Sequence, residues 1–246
     1  MITDVSFGFV HRGVHRGTYT EGWFFHTQHT QRDGSSVLYI ILTLAYMIIL
    51  GILPEEWKST IIPLVLFSDP SMVGFFFIGA LVMLEKVQGV IQCIVVTPLR
   101  SMEYLLAKVL SLTILAIAAT IMITLATYGY ELNWFLLILG ITLTSGFFVF
   151  YGFIVAVRCT TLNQYFIKMI PYLMLIVLPC FSLIGFPYAW VFNVFPSVAG
   201  LKLVYGAFNG IDFLSAAAFS IYLLAANLAI ARYVEKIFDS MATEGA

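Results

Sequence analysis

Charged residues are scarce in this 246-residue sequence: Asp, Glu, Lys and Arg make up 10%, whereas hydrophobic residues make up 61%. A soluble domain carries about 25% charged and about 45–50% apolar residues. The shortage of charge therefore argues against a soluble fold and favours a protein that lies in a bilayer. The net charge of −1 gives no electrostatic reason to expect a nucleic-acid partner.

Cysteine is also rare, and Cys93, Cys159 and Cys180 are scattered without metal-site spacing. We expect no structural disulfide, because two of them fall in predicted cytoplasmic segments and the third falls inside a predicted span. His11/His15 and His26/His29 have spacings that would suit a metal on a helix, but no cysteine or carboxylate completes either set. We therefore predict no metal.

Sequence patterns of enzymes are missing as well. The chain has no G-x-x-x-x-G-K-[ST] loop to cradle a nucleotide phosphate. It has no His-Glu-x-x-His, no Gly-x-Ser-x-Gly and no paired intramembrane aspartates. These absences predict a chain that is not an enzyme and binds no cofactor itself.

Long apolar runs dominate the rest of the sequence. A helix needs about 20 mostly apolar residues to cross a bilayer, and six stretches qualify. They predict an all-α membrane domain over residues 36–231, preceded by a cytoplasmic N-terminal arm (1–35) with a candidate interfacial helix and followed by a cytoplasmic tail (232–246). No apolar core follows the N-terminus closely, so we expect no cleavable signal peptide. The predicted spans are about Ser36–Leu53, within Ile61–Leu84, about Tyr104–Tyr128, Trp134–Val157, about Ile170–Phe186 and about Phe213–Ala231.

The positions of Lys and Arg predict the orientation. With the N-terminus inside, ten of the 12 lie in cytoplasmic segments, and only Lys58 and Lys202 lie outside. This asymmetry places both termini in the cytoplasm. It also makes Pro54–Thr60 and Gly129–Asn133 short outer loops and Glu85–Glu103 a longer inner one.

The outer segment between the fifth and sixth spans, Pro187–Gly210, is aromatic and interrupted by Pro196 and Gly200. One interpretation is a re-entrant pair of short half-helices that dip into the outer leaflet. The other is an aromatic belt that lies flat at the interface. The sequence leaves both open.

The inner segment between the second and third spans has a break in its middle. Val87–Val96 is a short amphipathic stretch, and Pro98 disfavours helical geometry at Thr97. Thr97 is also a good N-cap and Pro98 a good first helical residue, so a second helix is predicted to start there and run into the third span. An ordinary interhelical loop is the alternative.

The inner segment resembles that of ABC type-2 permeases in the arrangement Glu85, Gly89, Thr97-Pro98, Arg100 and Glu103–Lys108. The preceding residues 66–86 look like the second span of the drug-export branch that includes fluoroquinolone-export permeases. This resemblance implies a permease subunit in the bacterial plasma membrane that exports a hydrophobic or amphipathic drug, lipid or peptide. It also implies a second copy or a homologous permease, and a separate cytoplasmic ATPase that binds ATP and Mg. The rival interpretations are a non-transporting membrane assembly protein and, with less support, an intramembrane enzyme that acts on lipid.

In such permeases the inner segment is a coupling helix that docks on the ATPase. By resemblance, the coupling residues here are Glu85, Lys86, Gly89, Val90, Ile91, Ile94, Thr97, Pro98, Arg100, Glu103, Tyr104 and Lys108.

Four residues are candidates for a substrate path: Asp69, Phe76, Thr144 and Asn227. For Asp69 we favour another interpretation, in which Ser68-Asp69-Pro70 caps a helix that starts at Pro70. Thr144 and Asn227 suit hydrogen bonds between helices as well as a path.

Overall fold

Helices form all the regular secondary structure in the part of the chain that this computed structural model describes, namely residues 41, 43–88, 101–177 and 194–244. Contacts divide the chain into Met1–Leu42 and Thr43–Ala246, and the helices described below lie in the second unit. In chain order they are α1 (43–51), α2 (Glu55–Val87), α3 (Ser101–Thr127), α4 (Trp134–Val157), α5 (Leu162–Val177), α6 (Pro196–Asn209) and α7 (Phe213–Glu244).

Four of these helices are long and apolar enough to cross a membrane: Glu55–Val87, Met102–Thr127, Trp134–Val157 and Phe213–Ile237. They coincide with the second, third, fourth and sixth predicted spans, so the all-helical multi-pass fold is confirmed for these four. The first and fifth predicted spans extend into residues outside the described ranges. The count of six therefore stays a prediction.

Helix α2 begins earlier than the sequence predicted. Residues from Glu55 onward are helical, so the predicted outer loop Pro54–Thr60 is wrong beyond its first residue. Pro54 precedes the helix, and Glu55 and Glu56 place negative charge in its first turn, where the helix dipole favours it. Lys58 pairs with Glu55 at 2.6 Å along the same turn. Hydropathy missed this turn because it is polar.

The favoured cap at Ser68-Asp69-Pro70 is also wrong, because α2 continues through residues 68–70 without a break. A capping hydroxyl would accept a bond from an N–H of the following turn. The Ser68 hydroxyl instead donates to the Val65 carbonyl at 3.1 Å, a bond back along the helix. Asp69 therefore lies within a helix and does not begin one.

A proline inside α2 is compensated by another helix. Pro63 has no N–H, so the carbonyl of Ser59, four residues earlier, loses its helical partner. The side-chain amide of Asn209, at the end of α6, donates to that carbonyl at 3.0 Å. This bond fixes the end of α6 against the first turns of α2.

Helix α4 lies at the centre of the bundle and packs against α2, α3, α5, α6 and α7. Asn133 caps its start by accepting a bond from the Leu136 N–H at 3.2 Å. The Asn133 N–H in turn donates to the Ala207 carbonyl at 3.0 Å, which ties α4 to α6. Most of the α4 side chains are buried, including Phe148 and Phe153.

Close approach of α2 to its neighbours depends on glycine. A Cβ on Gly74 would lie 2.8 Å from a methyl of Val149 in α4, and a Cβ on Gly79 would overlap the Tyr165 ring of α5. On the facing helix, a Cβ on Gly152 would lie 3.0 Å from the Phe75 carbonyl oxygen. Gly74, Gly79 and Gly152 therefore serve contacts between helices of one chain.

Two further boundaries differ from prediction. Helix α5 starts at Leu162, eight residues before the predicted Ile170. Its start carries a capping arrangement in which Gln164 N–H donates to the Thr161 hydroxyl at 3.3 Å and the Gln164 side chain accepts from the Thr160 N–H at 2.9 Å. Helix α7 continues to Glu244, so most of the predicted tail is helical.

Helix α6 occupies the second half of the predicted outer segment. Pro196 takes its first position, as a proline can at a helix start, and Gly210 at φ 80° ends it. The helix packs against α2, α4 and α7 and buries most of its length. A belt lying flat at an interface would keep one side open, so this burial favours a half-helix. Residues 178–193, which would complete a re-entrant pair, fall outside the described ranges.

Candidate functional site

The second and third spans are joined at one end by an ion pair. Glu85, near the end of α2, accepts hydrogen bonds from the Tyr104 hydroxyl and the Lys108 ammonium of α3. Tyr104 and Lys108 are four residues apart, so they share one face of α3 and reach the same carboxylate. The Lys108 ammonium lies 5.6 Å from the centre of the Tyr104 ring. The side chains of Glu85 and Lys108 are only 12% and 26% exposed, which makes this a largely desolvated pair.

The next residue, Lys86, holds the end of α4. Its ammonium donates to the carbonyls of Val157 at 3.0 Å and Cys159 at 2.8 Å, with Ala156 at 3.4 Å. The last carbonyls of a helix have no partner within the helix, and its C-terminal end attracts positive charge. Lys86 satisfies both needs at once.

Glu85 and Lys86 together place the end of α2 against two helices. Consecutive residues point about 100° apart around a helix, so one side chain reaches α3 and the next reaches α4. The predicted inner segment therefore leaves α2 at residue 88 and meets α3 at residue 101 between two points that the ion pair holds together. We call Glu85, Lys86, Tyr104 and Lys108 the α2–α3 clamp.

The other predicted coupling residues divide into two groups. Glu103 is exposed in the first turn of α3 and takes no part in the clamp. The remainder fall outside the described ranges, so their role stays a prediction; these are Gly89, Val90, Ile91, Ile94, Thr97, Pro98 and Arg100.

The four candidates for a substrate path are not brought together into one described site. Asn227 in α7 donates to the Leu143 carbonyl of α4 and to the Leu223 carbonyl of its own helix, both at 2.9 Å. Thr144 is fully buried, and its hydroxyl has no partner among the described residues. Phe76 is half-buried, with its ring 6.1 Å from that of Phe75. For Asp69 only its place within α2 is described.

Sequence reasoning missed two links between α5 and its neighbours. The buried Tyr165 hydroxyl donates to the Phe75 carbonyl of α2 at 2.5 Å. Arg158, just after α4, donates to the hydroxyls of Tyr172 in α5 at 3.4 Å and Tyr233 in α7 at 3.1 Å. The Thr161–Gln164 capping box was a signal for the start of α5, but no local pattern predicts these long-range partners.

Comparison with known proteins identifies the family of this chain. The model of the fluoroquinolones export permease protein family matches residues 27–241. Two fluoroquinolones export permease proteins, from the CDC 1551 / Oshkosh and H37Rv strains of Mycobacterium tuberculosis, are each 27% identical over 170 residues, covering 69% of this chain and 72% of the relative. The resemblance to drug-export permeases found in the sequence is thereby confirmed. The chain belongs to the fluoroquinolones export permease protein family.

Proposed function

We propose that this chain is the membrane subunit of an ATP-driven exporter, and that a separate cytoplasmic ATPase drives it through the segment between α2 and α3. The observation that carries the proposal is the α2–α3 clamp. It links both ends of that segment to each other and, through Lys86, to the central helix α4. A partner that displaced the segment would therefore move three helices of the bundle together.

The energetics of such a coupling are those of linked equilibria. ATP binding can shift the permease between two states only if the ATPase holds the segment differently in each. If the segment between α2 and α3 were joined flexibly to these helices, its displacement would bend the connections and would not move the helices. The clamp resists this bending because a largely desolvated ion pair is costly to separate.

For the substrate, we propose a hydrophobic or amphipathic drug of the fluoroquinolone kind. Family membership and the two Mycobacterium tuberculosis relatives, whose names specify export of fluoroquinolones, support this class. Asp69, Phe76, Thr144 and Asn227 remain the proposed lining of the path. We also propose that the working unit contains two permease subunits in the plasma membrane, with both chain termini in the cytoplasm.

The test is reconstitution with a P-loop ATPase encoded in a neighbouring reading frame. Inside-out vesicles that contain both proteins should accumulate a fluoroquinolone when ATP is added, and the permease should stimulate ATP hydrolysis. Glu85→Gln should lower transport by about tenfold, the effect of about 1.4 kcal/mol lost from coupling, while the ATPase still copurifies.

The matched control is Glu55→Gln, which removes the exposed ion pair to Lys58 at the opposite end of α2. It changes the charge of the chain by the same amount and should leave transport within about twofold, because exposed pairs contribute little. Accumulation of drug without ATP would contradict ATP-driven export. Equal losses of transport in the two variants would show that the clamp is not the coupling element.

A further inference from the structure

We propose that the end of the bundle around Arg158 binds the phosphate headgroup of an anionic phospholipid. Arg158 follows α4 directly, and its guanidinium reaches Tyr172 of α5 and Tyr233 of α7. Both helices pack against α4, so Arg158 lies where the two flank its end. The proposal is independent of the ATPase coupling above.

A second basic side chain lies at this place. The Lys168 ammonium donates to the backbone carbonyl of Arg158 at 3.2 Å, so it lies against the backbone of the residue whose guanidinium reaches Tyr172 and Tyr233. Both side chains are exposed. The ion pairs Lys58–Glu55 and Lys108–Glu85 do not include Arg158 or Lys168, and neither residue forms an ion pair with another described residue. Their charge is therefore not neutralised within the described part of the chain.

The arrangement suits a phosphate diester. Arg and Lys donate charge-assisted hydrogen bonds to phosphate oxygens, and the guanidinium offers several donors in a fixed plane. The hydroxyls of Tyr172 and Tyr233 hold that plane from two sides, so little side-chain entropy is lost on binding. Basic sites between membrane helices at the cytoplasmic side are suited to anionic lipid headgroups.

The same surface offers a place for acyl chains. Leu175 lies three residues beyond Tyr172 on α5 and is 57% exposed, so it continues the same helix face toward the apolar part of the bundle. On α7, Ala229 lies four residues before Tyr233 and is exposed. The acyl chains of a lipid whose headgroup lies at Arg158 would thus contact apolar side chains, whereas a soluble anion has no apolar part to place there. This continuity selects a lipid as the occupant.

The experiment measures retention of phosphatidylglycerol by the purified full chain, with native mass spectrometry after exchange into lipid–detergent mixtures. The wild type should retain phosphatidylglycerol in preference to phosphatidylcholine. Arg158→Gln should lower the apparent affinity by about tenfold, as expected for the loss of a charge-assisted contact. Lys168→Gln provides a second test if Arg158→Gln folds poorly, and should lower affinity in the same direction.

The matched control is Arg232→Gln, which removes the same charge from an exposed position one residue before Tyr233. It should change affinity by less than about twofold. Equal losses in the Arg158 and Arg232 variants would mean diffuse surface attraction and would overturn the site. The site would also be overturned if the chain retained glycerol phosphate as strongly as the lipid, or if the Arg158 variant bound lipid normally but lost a protein partner.

Discussion

The energy stored in the contact between Glu85 and Lys108 can be measured by a double-mutant cycle. The single changes are Glu85→Gln and Lys108→Met, and the third variant carries both. Removing one partner of a buried ion pair costs about 3–5 kcal/mol, whereas an exposed pair contributes about 0.2–1 kcal/mol. With side chains 12% and 26% exposed, this pair lies between the limits, and we expect a coupling energy of about 2 kcal/mol.

The second pair on α2 gives the reference value. Lys58 and Glu55 are 2.6 Å apart, but the Glu55 side chain is 86% exposed. Water and salt screen such a pair, so its cycle should return at most about 0.5 kcal/mol. Both lysine side chains are largely buried, so the two pairs differ in the exposure of the carboxylate, in the second donor, Tyr104, that Glu85 has, and in whether they join one helix or two.

The assay is equilibrium unfolding of the purified chain in mixed micelles, followed by tryptophan fluorescence or circular dichroism. Raising the ionic strength should lower the coupling at Glu55 and leave that at Glu85 nearly unchanged. If the two coupling energies were equal, the end of α2 would be an ordinary solvated surface. Burial would then not strengthen the clamp, and the clamp could not hold the inner segment.

Two other predictions concern packing and interhelical bonding in the same unfolding assay. Gly79→Ala should lower the free energy of unfolding by at least about 2 kcal/mol, because the added Cβ would overlap the Tyr165 ring. The control, Gly51→Ala, places its Cβ in open space and should not destabilise the chain. Equal effects of the two changes would contradict the close approach of α2 to α5. Asn227→Leu should lower the free energy of unfolding by about 1 kcal/mol, because it removes the hydrogen bond to α4. Ser220→Ala should lower it by less, because the Ser220 hydroxyl bonds within α7. Equal effects of the two changes would contradict a stabilising role of the Asn227 bond.

The sequence predicted α4 with both bounds correct, and the reason is local. Asn133 caps its start and Arg158 follows its end, so polar residues delimit the apolar run on both sides. At α2 and α7 the helix continues past the apolar run into polar turns. Hydropathy measures the length of the apolar segment and not that of the helix. It therefore predicted a start for α2 that is too late and an end for α7 that is too early.

The clamp was predictable only in part. Glu85, Lys86, Tyr104 and Lys108 are all among the coupling residues that the resemblance implies, and the four-residue spacing of the last two is that of one helix face. Their shared contact with Glu85 depends on how α2 packs against α3, which no local pattern encodes. Lys86 illustrates the same limit: a cation in the last turn of a helix suggests interaction with its own dipole, but it caps α4.

The position of Lys86 explains why adjacent residues of opposite charge stand at this point of the chain. Glu85 alone would fix the start of α3 to the end of α2 and make no charged contact with the central helix. Lys86 alone would fix α2 to α4 and leave the start of α3 without a charged contact. With both, the ends of α2, α3 and α4 form one polar cluster at the edge of an otherwise apolar bundle. Since three helices share that cluster, none of them can shift there without breaking charged contacts to the others.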